Sequence, residues 1–264
     1  MAGQNLLKNK WKIFRKRFAH QTRLYLSSRR SVDAKEPVFI LSSRRCGSNF
    51  LLGLMNSVPG ISMASEILHP DMDYGLRERF ISKRAVLRHI SLSVNARQQR
   101  VCGAKLHLMQ MEKRGVSVQD LLRIFPRARF IVLYRRSLLE QFVSLKLAET
   151  TGVWETTRPQ NIPTFVRVER EEFWAFCVKM RGKYANLFRD PRLKKQSLVL
   201  DYESLSAAPQ EIFDRCIFPW LGMPSSPVSS PFRKQNPDIG NRIENYAEAR
   251  RLALEELVFQ EHAL

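Results

Sequence analysis

At 264 residues and 44% hydrophobic, the chain is long enough for one sizeable α/β core. No run approaches the roughly 18 consecutive apolar residues of a membrane span. Leu6-Leu7 is followed at once by Lys8, Lys10 and Lys12, which excludes the apolar core of a signal peptide, so a soluble cytoplasmic protein is expected. The formal net charge of +19 calls for an anionic partner: nucleic acid, a membrane surface, or an acidic cofactor and substrate. Cys46, Cys102, Cys177 and Cys216 are widely spaced, without a C-x-x-C pair or a metal-ligand cluster, and read as reduced thiols.

In chain order, residues 1–35 stand apart, with ten Lys/Arg against the single acid Asp33. Leu7, Trp11, Phe14 and Phe18 recur every three or four residues, which predicts an amphipathic helix with a basic face. Such a helix can lie on an anionic membrane as a peripheral contact, or pack its stripe on the domain and solvate its charges. Residues 36–264 are read as one domain. Short β-rich apolar runs alternate there with helical segments, the pattern of a parallel sheet with flanking crossover helices.

The first strand is Val38-Phe39-Ile40-Leu41, and a helix over 48–58 follows, ended by Pro59-Gly60. Residues 101–106 and 129–134 are two further strands. Ser117 and Asp120 form a capping box for the helix before the second, and Ser137 caps a helix over 138–149. Thr164 opens an amphipathic stretch to about Phe188, closed by Asp190-Pro191. Residues 197–200 form a strand, Pro209 and Gly222 bracket a helix, and residues 243–259 form the last one.

Between the first strand and its helix lies Ser42-Ser43-Arg44-Arg45-Cys46-Gly47-Ser48-Asn49-Phe50. A strand, a Gly/Ser turn and a helix can present backbone N–H groups and a helix dipole to a phosphate. Gly47 lets the backbone approach an anion, Ser48 and Asn49 add donors, and Arg44 or Arg45 adds charge. The G-x-x-x-x-G-K-[ST] pattern of nucleotide triphosphatases is absent, which disfavours ATP hydrolysis. An Arg/Ser-rich turn is also an ordinary solvated turn.

This segment resembles the P-R-S-G-S/T-T-W/L loop of the sulfotransferases, especially their bacterial carbohydrate-type branch, with Arg44, Cys46 and Asn49 departing from the usual Pro, Ser and Thr. The resemblance implies a P-loop-like sulfotransferase fold that binds 3′-phosphoadenosine 5′-phosphosulfate (PAPS) and releases adenosine 3′,5′-bisphosphate (PAP), without a metal. It implies a catalytic place for Arg45, and places Cys46, Gly47, Ser48, Asn49 and Phe50 around the 5′-phosphate. The stretch from Arg129 through Arg135-Arg136-Ser137 to Ser144 resembles the family's 3′-phosphate motif, with Arg136 and Ser144 at its eight-residue spacing. Asp201-Tyr202-Glu203-Ser204-Leu205 resembles the Y-E-x-L segment whose Tyr lies by the adenine. Arg233-Lys234-Gln235-Asn236 and 241–246 resemble the segments that close over the 3′-phosphate.

Glu66, in Ala64-Ser65-Glu66-Ile67-Leu68-His69-Pro70, matches the segment that carries the family's catalytic base, with His69 and His107 as alternatives; burial would be needed to make the carboxylate a better base. Lys105, in G-A-K-L-H, resembles a family lysine near the sulfuryl group. The implied acceptor is a carbohydrate or glycolipid. Trp154, Phe165, Phe173, Trp174 and Phe176 offer either an acceptor groove or core packing, and the helix over 165–188 a homodimer face. A basic adaptor for nucleic acid or membrane on an α/β scaffold is the alternative, with nucleic acid the less favoured partner.

Overall fold

The computed structural model describes residues 36–70, 76, 82–97, 99–154, 164–232 and 238–262. The basic segment 1–35 lies outside them. Five strands, β1 (Val38–Ser42), β2 (Ile61–Ala64), β3 (Val101–His107), β4 (Arg129–Tyr134) and β5 (Ser197–Asp201), form a parallel sheet in the order β2-β3-β1-β4-β5. β1 and β3 are buried at every position. Such runs have no polar alternation because helices cover both faces of a parallel sheet. The α/β class expected from the sequence is the one observed.

By contacts the chain forms two compact units, one comprising the described residues up to Ile40 with Gly60–Phe130, the other Leu41–Pro59 with Ile131 onward. In the first, α2 (Lys83–Asn95) starts at Ser82, whose hydroxyl accepts from the Ala85 N–H at 3.3 Å. β3 runs straight into the short helix α3 (Leu108–Lys113). α4 (Val118–Ile124) carries the capping box read from Ser117 and Asp120. Gly103 on β3 has no room for a side chain: a Cβ there would lie 1.7 Å from the Val38 carbonyl oxygen. Gly103→Ala is therefore expected to cost about 3 kcal/mol, the upper range for overpacking, read as a lowered denaturation midpoint.

The second unit contains α1 (Ser48–Asn56), shorter than the 48–58 expected, and α5 (Leu138–Thr151), capped by Ser137 and ended by Gly152 at φ 71°. α6 (Arg170–Leu187) begins six residues later than Thr164. Residues 164–169 instead run extended, with Val166 bridging Ile243 and Val168 holding the Asn245 side chain through two 2.9 Å hydrogen bonds. Asp190-Pro191 does not merely close that stretch. Asp190 caps α7 (Pro191–Gln196), where Pro191 costs nothing because a first-turn N–H has no helical partner.

α8 (Tyr202–Ala207) follows β5 directly, and a helical run from Pro209 to Leu221 includes a π-helical turn at Phe213–Ile217 before Gly222 ends it at φ 63°. The last helix is α9 (Tyr246–His262). Phe142 of α5 packs edge-on against Phe173 and Phe176 of α6, at 5.6 and 5.4 Å between ring centroids, in a core shared with Ala249 and Leu252 of α9. Phe173 is thus core. Among the described residues, no helix is long and apolar enough to cross a membrane.

Candidate functional site

The turn after β1 lies in the second unit. Arg45 (φ 61°) and Gly47 (φ 79°) are both left-handed, so the backbone folds back on itself and enters α1 without a side-chain cap or an acid in the first turn. An uncapped helix start concentrates N–H groups and positive dipole where an anion can sit. Ser48 is buried, and Asn49 and Phe50 half-buried, in that first turn. Gly47 is required twice over: its φ disfavours a side chain, and a Cβ would lie 2.0 Å from Cδ2 of Tyr202.

Polar contacts fix this turn from behind. The Gln141 amide donates to Ser43 Oγ at 2.8 Å and to the Arg44 carbonyl at 2.6 Å. Tyr184 accepts from the Ser43 N–H at 3.1 Å and donates to the Leu133 carbonyl at 2.9 Å; burial pushes its hydroxyl far above the usual range. Cys46 is fully buried, with Sγ 3.0 Å from the Ser43 carbonyl.

Two guanidinium groups meet here. Arg45 donates from Nε to Ser144 Oγ at 2.9 Å and from Nη1 to the Trp154 carbonyl. Arg135, with a side chain only 5% exposed, donates to the Arg45 carbonyl at 3.3 Å, pairs with Glu140 and lies 5.1 Å over the Tyr202 ring. Burial, then the neighbouring Arg135 charge, pushes the Arg45 guanidinium below its usual pKa. Arg44 stacks over Trp154 at 5.3 Å.

Arg136 turns elsewhere. Its side chain is 60% exposed, with Nε 3.1 Å from Asp201 Oδ1 and 3.8 Å from Glu203 Oε2. The Glu203 carboxylate also accepts from the N–H groups of Arg136 (3.0 Å) and Ser137 (3.3 Å). Ser144 therefore meets Arg45, while Arg136 meets Asp201 and Glu203. Asp201, Tyr202 and Glu203 thus attach the end of β5 to both motifs, Tyr202 through Gly47 and Arg135. Arg233 and Lys234 lie outside the described residues.

The first unit holds a separate cluster. Lys105 and His107 are two residues apart on β3 and so share a face. Gln110 follows in the first turn of α3. All three converge on Glu66, just beyond β2: Lys105 Nζ donates to Oε1 at 2.9 Å, His107 Nε2 meets Oε1 at 3.1 Å, and Gln110 Nε2 donates to Oε2 at 2.8 Å. Lys105 is fully buried, whereas the Glu66 side chain is 16% exposed. Burial alone would raise the Glu66 pKa. The His107 hydrogen bond and the Lys105 charge outweigh it and hold the carboxyl far below the usual range.

The two clusters together bring Arg45, Gly47, Ser144 and Tyr202 into one set and Glu66, Lys105 and His107 into another. Gln110, Arg135, Gln141 and Tyr184 escaped the sequence reading. Arg135 and Gln141 lie within the stretch that resembles the 3′-phosphate motif, but nothing in that stretch says which arginine points inward.

No family model matches the chain. It is 26% identical over 233 residues to "Nodulation protein H" of Rhizobium tropici, covering 84% of this chain and 90% of that protein. Among solved structures it is similar to a sulfotransferase from Alicyclobacillus acidocaldarius (16% identity, 86% of this chain and 97% of that one, TM-score 0.47). It is also similar to a mouse sulfotransferase complexed with PAP (15% identity, 89% and 68%, TM-score 0.43).

Proposed function

We propose that this chain is a sulfotransferase that moves a sulfuryl group from PAPS to a hydroxyl of a carbohydrate or glycolipid acceptor. The observation that carries the donor site is the uncapped start of α1, preceded by two left-handed residues in a turn that Arg45 belongs to and whose Arg45 carbonyl accepts from Arg135. The N–H groups of Gly47 and Ser48 hold the 5′-phosphate, with Asn49 and Phe50 in the same turn, and Arg45 neutralises the charge that grows on the leaving phosphate oxygen. Arg136, Ser144, Tyr202, Arg233 and Lys234 belong to the adenosine 3′-phosphate side, as the family resemblance implies. The donor supplies the sulfuryl group: its bond to the phosphate oxygen breaks as a new S–O bond forms to the acceptor hydroxyl.

Glu66 takes the acceptor's proton. Its low basicity is compatible with this role, because a hydroxyl oxygen already bonding to sulfur becomes strongly acidic, so an ionised carboxylate in place matters more than a high pKa. Lys105 and His107 keep that carboxylate ionised and oriented. The acceptor class rests on the resemblance to the carbohydrate-type branch; a peripheral membrane contact rests on the amphipathic basic pattern of residues 1–35, and a homodimer face on the long helical stretch over 165–188. Titration calorimetry with PAP is expected to show saturable binding that weakens about 10- to 100-fold in Arg45→Ala, the worth of one charge-assisted hydrogen bond. Equal affinity in the variant would overturn the donor-site assignment.

A further inference from the structure

We infer that Gln110 is a positioning residue that makes Oε2 of Glu66 the proton-accepting oxygen; this rests on the proposed role of Glu66. The two carboxylate oxygens are not equivalent. Oε1 faces both Lys105 (2.9 Å) and His107 (3.1 Å), which fill its two lone-pair directions. Oε2 faces the Gln110 amide at 2.8 Å; among the described residues no other group bonds to it, which leaves its second lone pair to take the acceptor's proton. Since a carboxylate cannot donate, only Nε2 of Gln110 can face it, which fixes the amide's orientation.

The other end of the same amide shows why glutamine is there. Gln110 is 7% exposed, and its Oε1 is buried with no hydrogen-bond partner among the described residues. A buried carbonyl stripped of water without replacement is destabilising, and a residue kept only for packing would do better as Met or Leu. The Nε2 contact to Glu66 is the one return that the side chain gives. Its place follows from the chain path: β3 passes into α3 at His107 without a loop, so Gln110 arrives one helical turn beyond His107, rigidly tied to the strand that carries the other two donors.

Gln110→Met removes the donor at nearly constant volume, and two readouts on the full chain test the inference. The Glu66 carboxyl, followed by carbon NMR against a Glu66→Gln control, is expected to titrate about one pH unit or more higher in Gln110→Met, since a hydrogen bond to the charged form is lost. With PAPS and a saturating acceptor, kcat is expected to fall about 10- to 100-fold, while PAP affinity stays within twofold as the check that the fold survives. An unmoved Glu66 midpoint, or a wild-type kcat, overturns the inference. A wild-type protein that moves no sulfuryl group fails the sulfotransferase reading instead, and the NMR midpoint still decides whether Gln110 governs Glu66.

Discussion

Glu66→Gln is expected to lower kcat by about 10²- to 10⁴-fold, the usual contribution of a general base, with PAP affinity nearly unchanged because the donor loop contains none of the groups around Glu66. The same substitution should also destabilise the protein. Lys105 is fully buried, and a buried ammonium stripped of its carboxylate has lost about 3–5 kcal/mol of compensation in comparable pairs. The two effects separate in the companion variant Lys105→Met, which removes the buried charge together with its need for a partner. Combined with Glu66→Gln, Lys105→Met should recover much of the lost stability but not the activity, because no carboxylate then remains to take the acceptor's proton. Denaturant titration and steady-state rates on the two variants check this; a Glu66→Gln enzyme of wild-type kcat excludes Glu66 as the base.

The depressed Glu66 pKa also gives stability a direction with pH. A carboxyl whose folded pKa lies below its unfolded value, about 4.3, stabilises the fold fully above that value and loses the contribution as pH falls toward the folded one. Wild-type stability should therefore exceed that of Glu66→Gln at neutral pH, and the gap should narrow below about pH 4.3. A gap that widens on acidification would mean that the carboxyl is not held ionised by Lys105 and His107.

Gly47→Ala is the other large effect. The left-handed backbone costs a residue with a Cβ about 1–2 kcal/mol, and the new methyl would lie 2.0 Å from the Tyr202 ring. Tyr202 cannot retreat without disturbing Arg135, whose guanidinium lies 5.1 Å over the same ring. The turn must open to relieve the overlap, which pulls the N–H groups of residues 47 and 48 out of alignment. PAP binding by calorimetry is expected to weaken 100-fold or more, beyond the loss in Arg45→Ala. Tyr202→Ala in the Gly47→Ala background should restore part of the affinity by removing the clash. Undiminished binding in Gly47→Ala would place the 5′-phosphate elsewhere.

Sequence carried the parts of this fold whose cause is local. The apolar runs at Val38–Ser42 and Arg129–Tyr134, the capping box at Ser117 and the Ser137 cap all depend on residues a few positions apart. β2 was missed because Ile61–Ala64 is only four residues long and interrupted by Ser62. α2 was missed because Lys83–Asn95 buries only four residues among basic and polar ones. α6 starts six residues after Thr164 because Val166 and Val168 are held extended by partners near residue 243, a long-range constraint that a local pattern does not carry.

The same division holds at the candidate sites. Gly47 and Glu66 stood out because their motifs are contiguous. The Arg45–Ser144 contact depends on a left-handed φ at Arg45 that no spacing rule foresees, and it is Arg135, not Arg136, that turns inward over Tyr202. Gln110 is invisible in sequence because its role depends on β3 entering α3 without a loop.

Transfer of radiolabel from sulfur-35 PAPS to a panel of carbohydrate and glycolipid acceptors is the most direct test of the central claim. The account predicts PAP-inhibited labelling of at least one acceptor, abolished in Glu66→Gln and Gly47→Ala. A wild-type protein that binds PAP yet labels no hydroxyl, or labels acceptors equally well in both variants, would contradict it.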